Sequence, residues 1–315
     1  MKYKLIVTTL FSSALFFSSN TFSEELQCSN KDFSLQFLGT GGPLSADKLA
    51  SSSSVIWYKG KSRIMIDAGG GSFLRFGQAG AQLQDLKLIG ISHLHVDHVA
   101  DLSAVMKEGV FLPTKHSLLL AGPQANEYFP SMTDYFSALF AKDKGAYSYL
   151  SGLYNATGGV NLKVNLKDVD FKAKTAQPVY GADGVKVTAF GIPHAATPSL
   201  AWRVETAEGT VVISSDQNGS NPDFVNFAKG ADILVMPAAS DEHADDAFLD
   251  FHAPPSVIGK IAAEVNPKAL ILHHFMGKSH DTQQDTVDII QKYYKGKVHP
   301  AEDLSCYPID EMASL

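Results

Sequence analysis

Apolar and polar residues along this chain fall into short runs broken by turn residues, the signature of strands, interrupted by stretches with the three-and-four spacing of helices. The first round of strands is predicted over 34–38, 54–58 and 63–67, the last two joined by a turn at Lys59-Gly60-Lys61. An apolar strand follows over 86–91. Residues 97–108 then place Val99, Leu102, Val105 and Met106 on one helical face, with Asp97 in the first turn. A second round starts at Val185, with strands over 185–190, 201–205 and 210–214 and Gly209 in the turn between the last two. Residues 233–236 and 269–273 read as buried strands. Residues 255–265, opened by a proline, and 282–294 read as helices. Strands alternating with helices in both rounds predict an α/β fold of stacked sheets covered outside by helices.

Between the rounds lies the stretch 111–182, rich in aromatic residues that include Phe111, Tyr128, Phe129, Phe136, Phe140 and Tyr154. It is expected to be an insertion between two halves. A long segment of this composition suits a lid or a substrate wall, although packing within the segment accounts for most of the rings equally well.

The N-terminus changes the picture of where the protein works. Lys2 and Lys4 precede an apolar run over 5–17, shorter than the ~20 residues that span a bilayer, and Thr21 and Ser23 are small. This is the pattern of a secretory signal peptide over 1–23, cut after Ser23, with an uncleaved anchor as the alternative. The expected mature chain, 24–315, is periplasmic or secreted and makes no stable membrane insertion. It keeps 24 basic against 33 acidic residues, a formal charge of about −9. Such a surface repels phosphate backbones, so a nucleic-acid partner is not expected. Cys28 and Cys306 are the only cysteines, and an exported chain could either bridge them or leave both free.

The chemistry concentrates in His93-Leu94-His95-Val96-Asp97-His98, directly after the strand over 86–91. Imidazole and carboxylate are ligands that zinc prefers, and alternation on extended backbone turns His93 and His95 to the same side. Asp97 and His98 are left for a second metal. Further ligand-capable residues cap later strands: His194 after 185–190, Asp216 after 210–214 and His274 after 269–273.

The ordered series Asp67, His93-x-His95-x-Asp97-His98, His194, Asp216 and His274 resembles the metallo-β-lactamase superfamily and covers nearly all of the mature chain. The resemblance implies a four-layer αββα sandwich of two similar halves. It also implies that His93, His95 and His194 hold one zinc ion and Asp97, His98 and His274 another, with Asp216 bridging and Asp67 orienting the ligand loop. Manganese or iron would suit the same donors. Phe37-Leu38-Gly39-Thr40-Gly41-Gly42 and Leu270-Ile271-Leu272-His273-His274 look closest to the transfer-RNA 3′-processing nuclease branch and its relatives, among them secreted arylsulfatases. His252 is similar to a proton-donating histidine of that branch and joins Asp97 as a candidate catalytic residue, although Ala253-Pro254-Pro255 departs from the usual hydroxyl residues. His273 stands where that branch usually has threonine, and packing accounts for it best. His116, His243, His280 and His299 fit no position of the pattern.

Two departures shape the expected function. The nuclease branch carries a long tRNA-gripping arm between the third histidine ligand and the bridging aspartate, whereas His194 and Asp216 are 22 residues apart. Neither cysteine falls where the common zinc β-lactamases place a cysteine ligand. The sequence therefore leads to an exported binuclear zinc hydrolase of small anionic esters, of arylsulfatase or phosphodiesterase type, using a hydroxide shared by the metals. A lactonase or carboxyl-ester hydrolase is the first alternative, and a β-lactamase or a non-catalytic metal-binding protein is more distant. The expected partner is a small-molecule substrate, and a homodimer is compatible with the sequence.

Overall fold

The first sheet is built by alternation within strands that are buried on both faces. In β2 (Ser53–Tyr58), which follows β1 (Phe33–Gly39), Val55 and Trp57 face helices while Ile56 and Tyr58 face the second sheet. This computed structural model describes residues 28–312, so the predicted leader over 1–23 lies outside the described residues. The sheet continues through β3 (Lys61–Ile66), β4 (Leu88–Gly90), β5 (His116–Pro123) and β6 (Leu162–Val169). The second sheet holds β7 (Gln177–Ala182), β8 (Val185–Ile192), β9 (Ser199–Glu205), β10 (Thr210–Ile213), β11 (Ile233–Pro237), β12 (Ala269–His273) and β13 (Lys297–Pro300), while β14 (Cys306–Pro308) returns to the first sheet beside β1. β3 to β6 run parallel, as do β10 to β13.

Three apolar layers follow from that alternation. Phe37, Ile56, Ile64, Trp202, Val211 and Ile271 fill the space between the sheets. Outside the first sheet, α1 (Ser72–Gln78), α2 (Val96–Val99), α3 (Leu102–Glu108) and α4 (Met132–Phe140) contribute Phe76, Val99, Leu102, Val105 and Phe136. Outside the second, α5 (Asp223–Ala228), α7 (Pro255–Val265) and α9 (Gln283–Tyr293) contribute Phe224, Ile258 and Ile290, with the short α6 (Asp246–Leu249) and α8 (Lys278–Asp281) in the loops before α7 and α9. The order helix, sheet, sheet, helix is the expected four-layer sandwich. Among the described residues no helix is long and apolar enough to cross a membrane.

Two expectations change. The single helix over 97–108 is broken into α2 and α3, because the Ala68 backbone pairs with both sides of the break: its N–H donates to His98 O (2.8 Å) and its carbonyl accepts from Asp101 N (2.9 Å). The stretch 111–182 does not stand apart as an insertion. β5 and β6 pair in parallel along their whole length and extend the first sheet, and β7 edges the second. Leu118, Leu120, Leu162 and Val164 complete the layer beneath α4, which explains why this segment belongs to the sandwich. Phe136 packs its ring against Phe140 and edge-on against Tyr154 within it, while Phe111, Tyr128 and Tyr149 stay exposed.

Cys28 and Cys306 are bonded, with their Cα atoms 5.7 Å apart, and Cys306 pairs with Gln36 where β14 meets β1. The bridge closes a loop of 278 residues in sequence, so its loss releases much chain entropy in the unfolded state. Cys306→Ser is expected to lower unfolding free energy by about 2–5 kcal/mol in urea titrations of the oxidised protein. An unchanged midpoint would contradict a stabilising role for this bond.

Candidate metal centre

The candidate ligands stand where strands of both sheets end. Asp67 follows β3, His93 and His95 follow β4, His194 follows β8, Asp216 follows β10 and His274 follows β12, so loops of both sheets converge on one edge of the sandwich. The backbone there is strained: Asp67, Ala195, Ser215 and His274 all have left-handed φ, between 46° and 60°. Non-glycine residues in that region cost about 1–3 kcal/mol each and persist where the surroundings hold them.

Asp67 organises the first loop. Its carboxylate accepts from Ser92 N (2.7 Å), from Ser92 Oγ (2.8 Å) and from His98 Nδ1 (2.9 Å). That last bond commits the Nδ1 proton and turns Nε2 of His98 toward the centre. His194 is oriented the same way, donating from Nδ1 to Phe251 O at 2.8 Å. His95 is reversed: its Nε2 lies 3.2 Å from Thr197 Oγ1, which leaves Nδ1 facing inward. Two close backbone approaches make room. A Cβ on Gly69 would stand 2.2 Å from Asp97 O, and one on Gly42 would stand 2.9 Å from His274 Cε1.

The inward atoms form two groups. His93 Nε2 and His194 Nε2 lie 3.0 and 3.3 Å from His95 Nδ1. His274 Nε2 lies 3.3 Å from His98 Nε2 and 3.2 Å from Asp97 Oδ2. Asp216 Oδ2 stands between the groups, 3.9 Å from His93 and from His194, 3.4 Å from His98 and 3.1 Å from His274. Within each group the ligand atoms lie within 4.8 Å of one another. Buried imidazole nitrogens facing one another around two carboxylates call for positive charge, and Asp216 Oδ1 is buried without a hydrogen-bond partner. This His/Asp cluster is suited to binding metal.

Protons supply the positive charge when metal does not. Burial opposes charge on His98, but the Asp216 and Asp67 carboxylates outweigh it and hold the ring well above its ordinary value. Burial likewise opposes charge on His274, yet Asp216 and Asp97 raise it to about 9. Burial lowers His93 well below the usual range, His95 to about 4, and His194 as well. Burial acts to raise Asp216, but His274 and His98 keep it well below the carboxylate range.

His252 sits beside the centre, its ring 5.2 Å from His194 and 5.5 Å from His274. Its Nδ1 is buried without a partner, and burial lowers the ring to about 3. It also groups with His194 and Asp216 within ligand distance. His273 is buried against Phe37, as packing predicts. His116 donates to Leu86 O and takes no part in these groups, and neither do His243, His280 and His299. Sequence reading missed Ser92, which ties the ligand loop to Asp67, and Thr197, which selects the ring nitrogen offered by His95. Neither hydroxyl carries a signal of its own in the sequence, because its partner comes from another loop.

The profile of the beta-lactamase superfamily domain matches residues 62–275. A protein named ribonuclease Z from Mycolicibacterium paratuberculosis is 24% identical over 285 residues, covering 87% of this chain and 97% of the relative. The ribonuclease Z of Methanopyrus kandleri is 23% identical over 271 residues, covering 79% and 89%. Among solved structures, a metallo-beta-lactamase fold protein of Bacillus subtilis superposes with a TM-score of 0.68 at 19% identity, covering 88% of this chain and 99% of that one. The short form of human tRNase Z gives 0.65 at 20% identity, also covering 88% and 99%. These structural likenesses are likenesses of fold.

The relatives named ribonuclease Z overturn two expectations. Neither the hydrolase of small anionic esters nor its lactonase alternative stands as the function, and the exclusion of nucleic acid in favour of a small-molecule substrate does not stand either. The physical fault lies in using formal charge, which sums the whole surface and omits bound cations, to judge one local site. The short gap from His194 to Asp216 is occupied by the β9–β10 hairpin, and its length by itself does not exclude RNA.

Proton competition makes metal uptake depend on pH. Metal must displace the protons held by His98 and His274, so zinc affinity should rise with pH at least up to about 9, the value at His274. Chelator competition across that range measures it. A flat profile would show that these two imidazoles are not ligands.

Proposed function

The chain belongs to the metallo-β-lactamase superfamily, and we propose that it is a metal-dependent hydrolase of phosphodiester bonds in RNA. The observation that carries this reading is the pair of ligand groups meeting at Asp216 with His252 alongside. The ribonuclease Z names of its relatives supply the substrate class.

In this reading His93, His95 and His194 would hold one cation and Asp97, His98 and His274 a second, with Asp216 placed between the two groups. Zinc is the proposed metal, on the strength of the imidazole-rich donor set. Two such cations supply Lewis acidity at a phosphoryl oxygen and a water acidified from ~15.7 towards ~7. The chain's own residues do the rest. Asp67, Thr197 and the Phe251 carbonyl hold the ligand rings in their tautomers. Asp97, partly open to solvent and kept ionised by His274 and His98 against the effect of burial, would present Oδ2 to the second cation and accept a proton at Oδ1. His252 delivers a proton to the leaving oxygen. It is neutral before substrate arrives, and the charge of an entering phosphodiester favours its protonated form.

We also propose that residues 1–23 export the chain, a reading supported by the Cys28–Cys306 bond, since disulfides persist in oxidising compartments. Mass spectrometry of the mature protein should then find Glu24 first, and an intact Met1 would refute this.

The test is an RNA hairpin with a single-stranded 3′ trailer, incubated with zinc-loaded protein. Cleavage is expected, and His252→Ala should lower kcat about 10²- to 10⁴-fold while bound zinc stays at two per chain. No cleavage of any RNA by metal-replete protein would sink the reading. Loss of zinc in the variant would make His252 a ligand instead of a proton donor.

A further inference from the structure

Two aromatic rings stand at the mouth of the centre without serving the core or the ligand groups. Phe129 lies 5.8 Å from the His95 ring and is half-buried; Phe251 lies 6.5 Å from His95 and 5.2 Å from His194 and is 36% exposed. Exposure alone does not set them apart, but their place beside the imidazoles of His95 and His194 puts them in the path of whatever enters the centre.

Both rings are mounted stiffly. Asn126 Oδ1 accepts from the backbone N–H groups of Tyr128 (2.9 Å) and Phe129 (2.8 Å), and Asn126 Nδ2 donates to Ala196 O (2.8 Å). On the other side, Asp250 O accepts from Ala195 N (3.0 Å), and Phe251 O accepts from His194 Nδ1 (2.8 Å). The loops 126–129, 194–197 and 250–252 therefore form one hydrogen-bonded unit. Its rings are held relative to His95 and His194, a rigid aromatic surface that can be stacked upon at little entropic cost.

The charge of the same rim points to what lies there. Asp245, Asp246 and Asp250 are exposed around Phe251, and Lys278 is engaged with Asp241 at 3.0 Å. Apart from Lys172 in the neighbouring cleft, a rim of that sign offers phosphates beyond the metal centre little attraction, so a bound strand gains its affinity there from its bases. Beside His194 a cleft of about 430 Å³, lined by Phe171, Lys172, Pro193, Thr197 and Asn221, leaves room for the strand to pass.

We infer that Phe129 and Phe251 form a stacking subsite for an unpaired nucleobase next to the scissile phosphate. The protein thus selects single-stranded RNA at the cleaved bond through base stacking and makes few contacts to distant phosphates. This rests on the RNA reading above. A paired base keeps its faces covered by its neighbours, so a duplex cannot use the subsite.

The test compares a short single-stranded oligoribonucleotide with a twin made abasic at the nucleotides flanking the mapped cleavage site. KM of the zinc-loaded wild type should be about 5- to 150-fold higher for the abasic twin. Phe129→Ala and Phe251→Ala should each raise KM for the base-bearing strand by a factor in that range, and Phe129→Ala should leave KM for the abasic twin unchanged and bound zinc at the wild-type level. Phe251→Trp should restore the base preference. Fluorescence anisotropy of the metal-free protein with the labelled strand should show the same loss of affinity in the alanine variants, with a shallow salt dependence.

Equal wild-type KM for the two strands, or equal losses on both in the variants, overturns the subsite while the RNA reading survives. Failure to cleave either strand, or any other RNA, removes both.

Discussion

The Asp67 carboxylate is the contact on which the centre depends. Buried at the end of β3, it takes three hydrogen bonds from the loop after β4 and from α2, and its own backbone is held at φ 60° to do so. Hydrogen bonds to a charged acceptor contribute about 1.5–3 kcal/mol each, enough to offset the strain. Remove that carboxylate and His98 loses its tautomer while Ser92 loses its anchor, so His93 and His98 are no longer aimed at one point.

The rest of the molecule makes that arrangement tolerable. Three continuous apolar layers supply the stability, and none of them contains a candidate ligand. The edge where the ligand-bearing strands end bears the opposite burden: left-handed residues at Asp67, Ala195, Ser215 and His274, and buried charges that balance only as a set. Strain and uncompensated polarity gathered at one edge of a well-packed sandwich are what a binding centre requires.

Much of this was legible along the chain. His93, His95, Asp97 and His98 sit within six residues, and His194, Asp216 and His274 each cap an apolar strand, so type and position together marked them. The failures share a cause. The stretch 111–182 read as an insertion because β5 and β6 close their pairing over a long sequence separation, which local periodicity does not record. The substrate was misjudged because net charge and the length of one loop are global or indirect measures, whereas recognition depends on which groups surround the metal.

The sequence by itself determined the ligand types, their strand-end positions and the alternation that produces two sheets, because these are properties of neighbours in the chain and of the strand and helix periods. Tertiary structure alone decided that Asp216 lies between the two groups, that Thr197 and the Phe251 carbonyl choose the nitrogens of His95 and His194, and that Phe129 and Phe251 flank the same imidazole. Each of these joins loops more than twenty residues apart, and the order of strands within each sheet together with the packing of one sheet against the other sets the distance between them.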